Sequence, residues 1–188
     1  YNNETTLRVN RDLAVSRNTM VAAKHPMAVE AGLDIMSRGG NAVDAAVATG
    51  FAIGVVEPWM SGIGGVGFMT IQMANGKRVV IDYFGRDPRA ATPDMFSLEE
   101  GDSQTTVGFG GVKDQANAYG PLSILVPGMV AGMCHALENY GTMSLKEVIQ
   151  PAIQFAEEGF QVDWLRGMLI ASQLKTIERD AETSRIFL

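Results

Sequence analysis

The feature that most constrains the fold is an apolar segment, Ala42 to Val56, which leads directly into a glycine-rich stretch, Glu57 to Phe68. The segment is apolar on every side, which predicts a helix in the middle of a domain, covered all round by other elements. Four of the six residues from Gly62 to Gly67 are glycine. Because glycine permits close main-chain approach at a cost in chain entropy, the stretch predicts either tight packing or a ligand site. The residues alone do not decide between the two.

The boundaries of the first two helices are marked by local signals. Pro26 suits the first helical position, and the pair Gly39-Gly40 ends the helix that it opens. Asn41 is a good N-cap for the apolar helix, and Asp44 stands three residues on, where a carboxylate meets free N–H groups. The sequence therefore predicts two consecutive helices joined by a very short connection.

A β-hairpin is predicted after the glycine-rich stretch. Asn75-Gly76 separates two runs rich in β-branched and aromatic residues, Val66 to Met73 and Arg78 to Phe84, and Asn-Gly in this setting is the strongest short hairpin signal. The other predicted elements are short strands at Met20–Ala23 and Leu122–Val126, and helices at Met129–Asn139, Leu145–Glu158 and Trp164–Glu178. Pro151 is expected to bend the second of these helices or to move its start to a later residue. Gly141 is expected to end the first helix, Asp163 to cap the last, and Ile153 and Ala156 to lie on the buried face of the second.

Two segments are predicted to lack regular structure. Residues 1 to 18 are polar and predict an arm or an edge segment, and no period holds from residue 97 to 119, which predicts a long loop. The 188 residues together are predicted to form one domain without an internal boundary, because domains commonly have about 50 to 250 residues.

Composition excludes several classes of function. The net charge is −6 and the basic residues are scattered, whereas a nucleic-acid or anionic-membrane surface needs a basic patch. One cysteine, Cys134, and two histidines give neither a disulfide nor a zinc-ligand spacing. No apolar run reaches the roughly 18 residues that indicate a membrane-spanning helix. The sequence predicts an acidic globular protein without a metal site or a membrane segment.

Arg86 is the candidate binding residue. It follows the second strand of the predicted hairpin, and the planar guanidinium of arginine can bind both oxygens of a carboxylate. The alternative is an exposed arginine paired with Asp87 or Asp94, and the residues alone favour this alternative. No nucleophile elbow, Walker loop, zinc motif or dinucleotide-binding glycine pattern is present. The chain therefore offers no self-sufficient catalytic centre.

The order and spacing of several short motifs resemble the gamma-glutamyltranspeptidase family, specifically the N-terminal part of its large subunit. These motifs cover most of residues 19 to 165: Met20–Pro26, Glu30–Gly32, Gly39–Ala48, Gly54–Pro58, Ser61–Met69, Val126–Gly128, Ala131-Gly132, Pro151–Ile153 and Ala156–Phe160. The resemblance implies an α+β protein, the four-layer αββα sandwich of the N-terminal nucleophile hydrolases, of which residues 1–188 would form one part.

The resemblance also implies the chemistry and the partners. Such proteins are made as precursors that cut themselves into two subunits, and the nucleophile is a threonine that becomes the first residue of the small subunit. The catalytic residue would thus lie on a separate polypeptide, with none in this chain. The expected substrate is a small γ-glutamyl amide such as glutathione, or another amide, and no cofactor is implied. The large subunit is expected to be longer than this chain, which would make the chain a fragment or a cleaved piece.

One departure from the family concerns substrate binding. In the family an arginine of an Arg-Glu-Thr-Ala-Pro motif binds the α-carboxylate of the glutamyl donor, and Arg86 stands in its place within Gly85-Arg86-Asp87-Pro88-Arg89. Arg89 is a possible substitute and Asp87 a further candidate for substrate binding. Because the motif differs, a related acylase acting on a different amide is an alternative, and a non-catalytic binding module is another. The sequence leaves open a periplasmic, extracellular or cytoplasmic location.

Overall fold

The protein is described by a computed structural model that covers residues 13–99 and 111–188. Its elements are, in chain order, α1 (Pro26–Ser37), α2 (Ala42–Val56), β1 (Gly67–Gln72), β2 (Arg78–Tyr83), two short 3-10 helices (Lys113–Gln115 and Pro121–Ser123), α3 (Met129–Tyr140), α4 (Leu145–Val148), α5 (Gln150–Glu158), α6 (Trp164–Ser172), α7 (Leu174–Ile177) and α8 (Ala181–Phe187). Predicted segments 1–18 and 97–119 lie partly outside the described residues.

Helix α2 is the centre of the fold, as its sequence predicts. It packs against α1, α3, α4 and α5. Along its length only Ala42 and Ala46 are exposed. The core that it shares with its neighbours includes Ile35, Val47, Phe51, Val56, Met133, Leu137 and Val148. Burial of large side chains in this cluster is the main stabilising contribution, because each contributes roughly 1.5–3 kcal/mol.

The start of α2 is fixed by a buried carboxylate. The side chain of Asn41 accepts hydrogen bonds from the main chain of Val43 and Asp44, and Asp44 accepts one from the Asn41 N–H at 2.7 Å, which confirms the predicted capping. The fully buried Asp44 carboxylate also accepts from the Thr142 hydroxyl at 2.7 Å, the Thr142 N–H and the Met143 N–H. It therefore ties α2 to the connection between α3 and α4.

Burial and hydrogen bonding oppose each other at Asp44. Burial raises the pKa of this carboxyl, but the hydrogen bonds from Thr142, Asn41 and Met143 together outweigh burial and hold the pKa below its ordinary value. The carboxylate is thus stable in its ionised form where it meets the free N–H groups of a helix start.

The predicted hairpin is confirmed. Strands β1 and β2 pair antiparallel from Gly67 opposite Tyr83 to Gln72 opposite Arg78, and Gly76 in the turn has φ of 83°. One face packs on the helices through Ile71 and Ile81. The other face is open: Phe68, Phe84 and Val80 are 60%, 53% and 67% exposed. Among the described residues this sheet has two strands, and an isolated pair of strands is only marginally stable.

Two predicted strands are wrong. Met20–Ala23 forms no strand, and Leu122–Val126 contributes only one paired residue, Val126, which bridges to Arg86. Pro121 starts a 3-10 turn at the beginning of the second segment, and β2 ends at Tyr83, so an extended partner for the whole segment is absent from the described residues. A β-propensity run becomes a strand only where another strand can pair with it.

The helices of the second half follow the predicted signals with different boundaries. Helix α3 ends at Gly141 as predicted. The predicted helix Leu145–Glu158 divides into α4 and α5 at Ile149, because Pro151 lies in the first turn of α5. Ile153 and Ala156, which the periodicity places on the buried face, are exposed. Asp163 caps α6 as predicted, and the helix stops at Ser172.

Candidate functional site

A cleft of about 390 Å³ lies where β2 ends and α3 begins. Its lining consists of Ile81, Asp82, Tyr83, Phe84, Arg86, Val126, Pro127, Gly128, Ala131, Gly132 and His135. Arg86 is held there by its main chain, which exchanges two hydrogen bonds with Val126: the Arg86 N–H donates at 3.3 Å and the Arg86 carbonyl accepts at 2.9 Å. The single bridge that replaces the predicted strand thus forms one wall of the cleft.

The close approach of α3 to β2 depends on two glycines. A Cβ at Gly128 would overlap the carbonyl of Tyr83, and a Cβ at Gly132 would overlap the Tyr83 ring. Burial raises the pKa of Tyr83, and its hydroxyl donates to the Phe68 carbonyl at 3.3 Å. Tyr83 therefore fills the space between hairpin and helix, with its main chain at position 128 and its ring at position 132.

Arg86 is an exposed cation without a carboxylate partner in the described part of the chain. The ion pairs of the described ranges join Lys24 to Glu57, Arg38 to Asp34 and Arg185 to Glu182. The pairing of Arg86 with Asp87 or Asp94, which the residues alone favour, does not form. Of the three sequence candidates only Arg86 lines the cleft, whereas Asp87 and Arg89 lie exposed outside it.

Two polar residues of the cleft were missed by the sequence reasoning. The Asp82 carboxylate accepts from the Phe84 N–H at 2.9 Å, and His135 lies 3.4 Å from the Asn139 side chain. The alternation of β2 was a usable signal for Asp82, which falls on the open face of the hairpin. For His135 the signal was helical spacing, because Gly128, Gly132 and His135 repeat at intervals of four and three residues.

Phe84 adds an apolar wall to the polar residues of the cleft. Its ring stacks on that of Phe68 with 5.6 Å between the ring centroids, and Phe84 and Val126 both line the cleft. The site thus combines one guanidinium, one carboxylate and one imidazole with an apolar side. Such a combination suits a small organic molecule that carries both a charged group and an apolar part.

The glycine-rich stretch packs main chain on main chain. A Cβ at Gly54 of α2 would lie 3.2 Å from the Gly62 Cα, and the Gly65 N–H donates to the Gly62 carbonyl at 2.9 Å. The Gly65 carbonyl in turn accepts from the Met129 N–H at 3.0 Å, at the start of α3. These contacts favour packing over a ligand site as the role of Gly65, whereas a Cβ at Gly62 or Gly64 would meet nothing within 4 Å. They also place the stretch directly behind the cleft.

A buried charged cluster at the beginning of the stretch was not foreseen. Glu57 and Arg166 are each 4% exposed. Glu57 pairs with Lys24 at 3.5 Å, while Arg166 donates to the Val56 carbonyl at 2.6 Å and lies 3.3 Å from His25. The sequence carried no local signal for this cluster, because its members are brought together from distant positions.

Other classes of site are absent from the residues that the structure describes. In the part of the chain that the structure describes, no group of three or more histidine, cysteine, aspartate or glutamate side chains could hold a metal ion. No helix within residues 13–99 and 111–188 is long and apolar enough to cross a bilayer. Cys134 is partly buried, as expected of a small apolar residue on α3.

Comparison with known proteins places this architecture in one family. The family model described as Gamma-glutamyltranspeptidase matches residues 28–188. The chain is 41% identical over 172 residues to the glutathione hydrolase proenzyme of Bacillus subtilis (strain 168), covering 91% of this chain and 28% of that protein. It is 40% identical over 178 residues to the Acylase ACY 1 proenzyme of Pseudomonas sp. (strain V22), covering 93% and 31%.

A solved structure extends the similarity to the fold. The gamma-glutamyltranspeptidase of Helicobacter pylori superposes with a TM-score of 0.81 at 34% identity, over 93% of this chain and 47% of that one. This chain therefore spans less than a third of the two relatives named above and about half of that solved chain. The chain belongs to the gamma-glutamyltranspeptidase family.

Proposed function

We propose that this chain is part of an enzyme that cleaves or transfers a γ-glutamyl or similar acyl group from a small amide donor such as glutathione. In this proposal residues 1–188 belong to the large subunit of a self-cleaving precursor. A small subunit from the same precursor supplies an N-terminal threonine as the nucleophile. Membership of the family and the word proenzyme in the names of both similar curated proteins support this assignment.

The observation that carries the proposal for substrate binding is the position of Arg86. It is a cation without an ion-pair partner among the described residues, and it lines a cleft whose size suits a small molecule. We assign it the carboxylate of the donor, which its guanidinium can bind with two parallel hydrogen bonds. Asp87 and Arg89 adjoin it outside the lining, and either can take part only if the loop adjusts on binding.

The open face of the hairpin supports a larger sheet assembly. Phe68, Val80 and Phe84 form an exposed apolar surface on a sheet of two strands, and apolar surfaces of this kind mark interfaces. In the proposed four-layer sandwich this face packs against a second sheet from the remainder of the complete protein. The helices around α2 form one outer layer, and β1 and β2 contribute to the sheet beneath it.

A second candidate, an acylase for a different amide, is favoured by a specific observation. Phe84 and Val126 give the cleft an apolar side, which suits an apolar acyl chain better than a glutamyl group alone. The identity to an acylase, 40%, is close to the 41% identity to a glutathione hydrolase. Both candidates share the threonine chemistry and the carboxylate-binding role of Arg86, and they differ in the donor.

Kinetics of Arg86 variants test the proposal. In the complete protein, Arg86→Ala should raise KM for a donor with an α-carboxylate by about tenfold to a hundredfold, because a charge-assisted hydrogen bond contributes about 1.5–3 kcal/mol. Self-cleavage of the precursor should stay intact. Arg89→Ala serves as the matched control, since Arg89 is exposed outside the cleft lining.

The outcome also separates the two candidates. For a γ-glutamyl donor whose α-carboxylate is replaced by an amide, wild type and Arg86→Ala should have the same KM. Faster turnover of an acyl donor with an apolar chain than of glutathione would favour the acylase. Unchanged kinetics of Arg86→Ala towards all carboxylate-bearing donors would refute the assignment of Arg86.

A further inference from the structure

Arg166 is buried to an extent that is unusual for arginine. Only 4% of its surface is exposed. One terminal nitrogen donates to the Val56 carbonyl at 2.6 Å, and the other donates to the Gln161 carbonyl at 2.9 Å. Val56 is the last residue of α2, where main-chain carbonyls lack partners within the helix and a cation is favoured. Arg166 thus satisfies a main-chain carbonyl at the end of the central helix, directly before the glycine-rich stretch begins.

Two aromatic rings flank the guanidinium. The ring centroid of Phe160 lies 4.3 Å from the Arg166 Cζ, and that of Trp59 lies 5.7 Å away. Trp59 belongs to the glycine-rich stretch, and the Met60 and Ser61 N–H groups donate to the Glu57 carbonyl at 3.1 Å. The first turn of the stretch is therefore held by Arg166 from one side and by its own hydrogen bonds from the other.

Contacts continue from this turn to the cleft. Later in the stretch, the Gly65 carbonyl accepts a hydrogen bond from the Met129 N–H at 3.0 Å. Met129 follows Pro127 and Gly128, both of which line the cleft with Arg86. The Val66 side chain also meets Gly85, the residue before Arg86, where a Cβ would lie 2.9 Å away. Each link is a direct contact, so a shift of the first turn has a physical route to the cleft.

We propose that Arg166 is a positioning residue for the substrate cleft, acting through the glycine-rich stretch Glu57 to Phe68. The proposal rests on the proposed function only for the identity of the substrate. The positioning itself is a property of the fold. One Arg166 nitrogen, Nε, is buried without a partner in the described residues. A buried donor without a partner lowers stability, so this nitrogen agrees with a role of Arg166 in holding the stretch rather than in maximising stability.

His25 gives the arrangement a chemical requirement. Its Nδ1 accepts from the Met27 N–H at 3.2 Å, and its Nε2 lies 3.3 Å from the Arg166 terminal nitrogen. A neutral imidazole has one acceptor nitrogen, here Nδ1, so Nε2 carries the hydrogen and its approach to Arg166 at 3.3 Å is a contact rather than a hydrogen bond. A protonated imidazole has no acceptor nitrogen. Protonation would remove the cap acceptor of α1 and place a second cation against Arg166. The arrangement of His25 and Arg166 therefore fits a neutral imidazole.

The charged groups around His25 lie on several elements. Burial and the Arg166 charge lower its pKa, and the carboxylates oppose this shift in part. The groups concerned are Arg166 on α6, Glu57 in the glycine-rich stretch, Asp163 before α6 and Glu30 on α1. If opening of the stretch releases His25 to water, opening takes up a proton below the ordinary pKa of 6.5.

Hydrogen exchange of the complete protein tests the proposal. In Arg166→Met, the hydrogen-bonded amides of the stretch and of the cleft wall should exchange about ten- to a hundredfold faster, because the hydrogen bonds of a charged group are lost. These are the amides of Glu57, Met60, Ser61, Gly65, Val126 and Met129. Exchange within α1 and α5 should stay unchanged. Arg185→Met is the matched control, since its side chain is 69% exposed. Arg166→Lys keeps the charge but loses the planar guanidinium, whose two terminal nitrogens donate to different carbonyls. It provides the same comparison if Arg166→Met does not fold.

The pH profile separates positioning from general stability. Protection of residues 57–65, corrected for intrinsic exchange rates, should fall by up to about tenfold per pH unit below 6.5 in the wild type. His25→Asn retains a cap acceptor and should remove this dependence. Unchanged protection in the Arg166 variants, or an equal loss in every helix, would overturn the proposal. Absence of amide cleavage by the wild type would refute the proposed function and leave this comparison valid.

Discussion

Replacement of Asp44 by asparagine tests the central anchor of the fold. The carboxylate is fully buried: its Oδ2 accepts from the Asn41 N–H at 2.7 Å and the Thr142 hydroxyl at 2.7 Å, and its Oδ1 accepts from the Thr142 N–H at 2.9 Å and the Met143 N–H at 3.1 Å. Asparagine of the same shape has one acceptor oxygen. Whichever way its amide is turned, at least one main-chain N–H faces an NH₂ group.

The magnitude follows from these contacts. A buried donor left without a partner costs about 1–3 kcal/mol, and the loss of the charged acceptor weakens the other hydrogen bonds, so we expect a destabilisation of about 2–5 kcal/mol. That is a large part of the roughly 5–15 kcal/mol that stabilises a typical folded domain. Urea unfolding of the complete protein measures this change in the free energy of unfolding. Asp34→Asn is the matched control, because Asp34 is a half-exposed carboxylate whose ion-pair partner is Arg38.

The pH dependence gives the same prediction a second test. Because hydrogen bonds hold the pKa of Asp44 below its ordinary value of 3.8, its contribution to stability is present above that value. It is lost as the pH falls through the lower pKa of the folded state. The stability difference between wild type and Asp44→Asn should therefore shrink under acid. A difference below about 0.5 kcal/mol at neutral pH, as for an ordinary surface change, would refute the reasoning.

Three further substitutions test the packing of α3, the helix propensity of α6 and the cap of α2. Gly132→Ala should destabilise the protein by about 1–3 kcal/mol in thermal unfolding, because the new methyl group overlaps Tyr83. Gly167→Ala, on a helix where nothing lies within 4 Å of the new atom, should instead be neutral or stabilising by up to about 1 kcal/mol; equal losses at both positions would contradict the packing argument. Asn41→Ala should cost about 0.5–2 kcal/mol through loss of the α2 cap, read from the denaturation midpoint, and an unchanged midpoint would contradict that role.

Local chemistry was sufficient to predict most element boundaries. The boundary signals act within a few residues of their own positions, and the structure confirms the helix start, cap, turn or helix end that each one predicts. These signals are Pro26, Asn41, Asn75-Gly76, Gly141 and Asp163. A cap or a turn satisfies main-chain groups of its own segment, so its signal survives whatever surrounds it.

Contacts between distant segments could not be predicted in the same way. Asp44 was recognised as a helix-start residue, but Thr142 and Met143, which supply most of its hydrogen bonds, lie about a hundred residues away. The burial of Arg166 depends on Val56 and His25, which are equally remote. The strand expected at Leu122–Val126 failed for the same reason, since a strand needs a partner that its own residues do not specify.

The candidate site shows both cases. The resemblance singled out Arg86 from a motif, and the structure places it in the cleft lining. Asp82 and His135 carried period signals that point to a face, but only the packing of α3 on β2 brings both residues into the lining of one cleft. Phe84 was predicted as a strand residue, and its stacking on Phe68 makes it part of the wall.

The central claim is that this chain belongs to a precursor that cuts itself to expose a threonine nucleophile. Intact mass and N-terminal sequencing of the complete purified protein, under denaturing conditions, test it most directly. The account predicts two polypeptides, one that contains the present sequence and a second that begins with threonine. A single uncut polypeptide that nevertheless cleaves amides, or a second polypeptide that begins with any other residue, would contradict it.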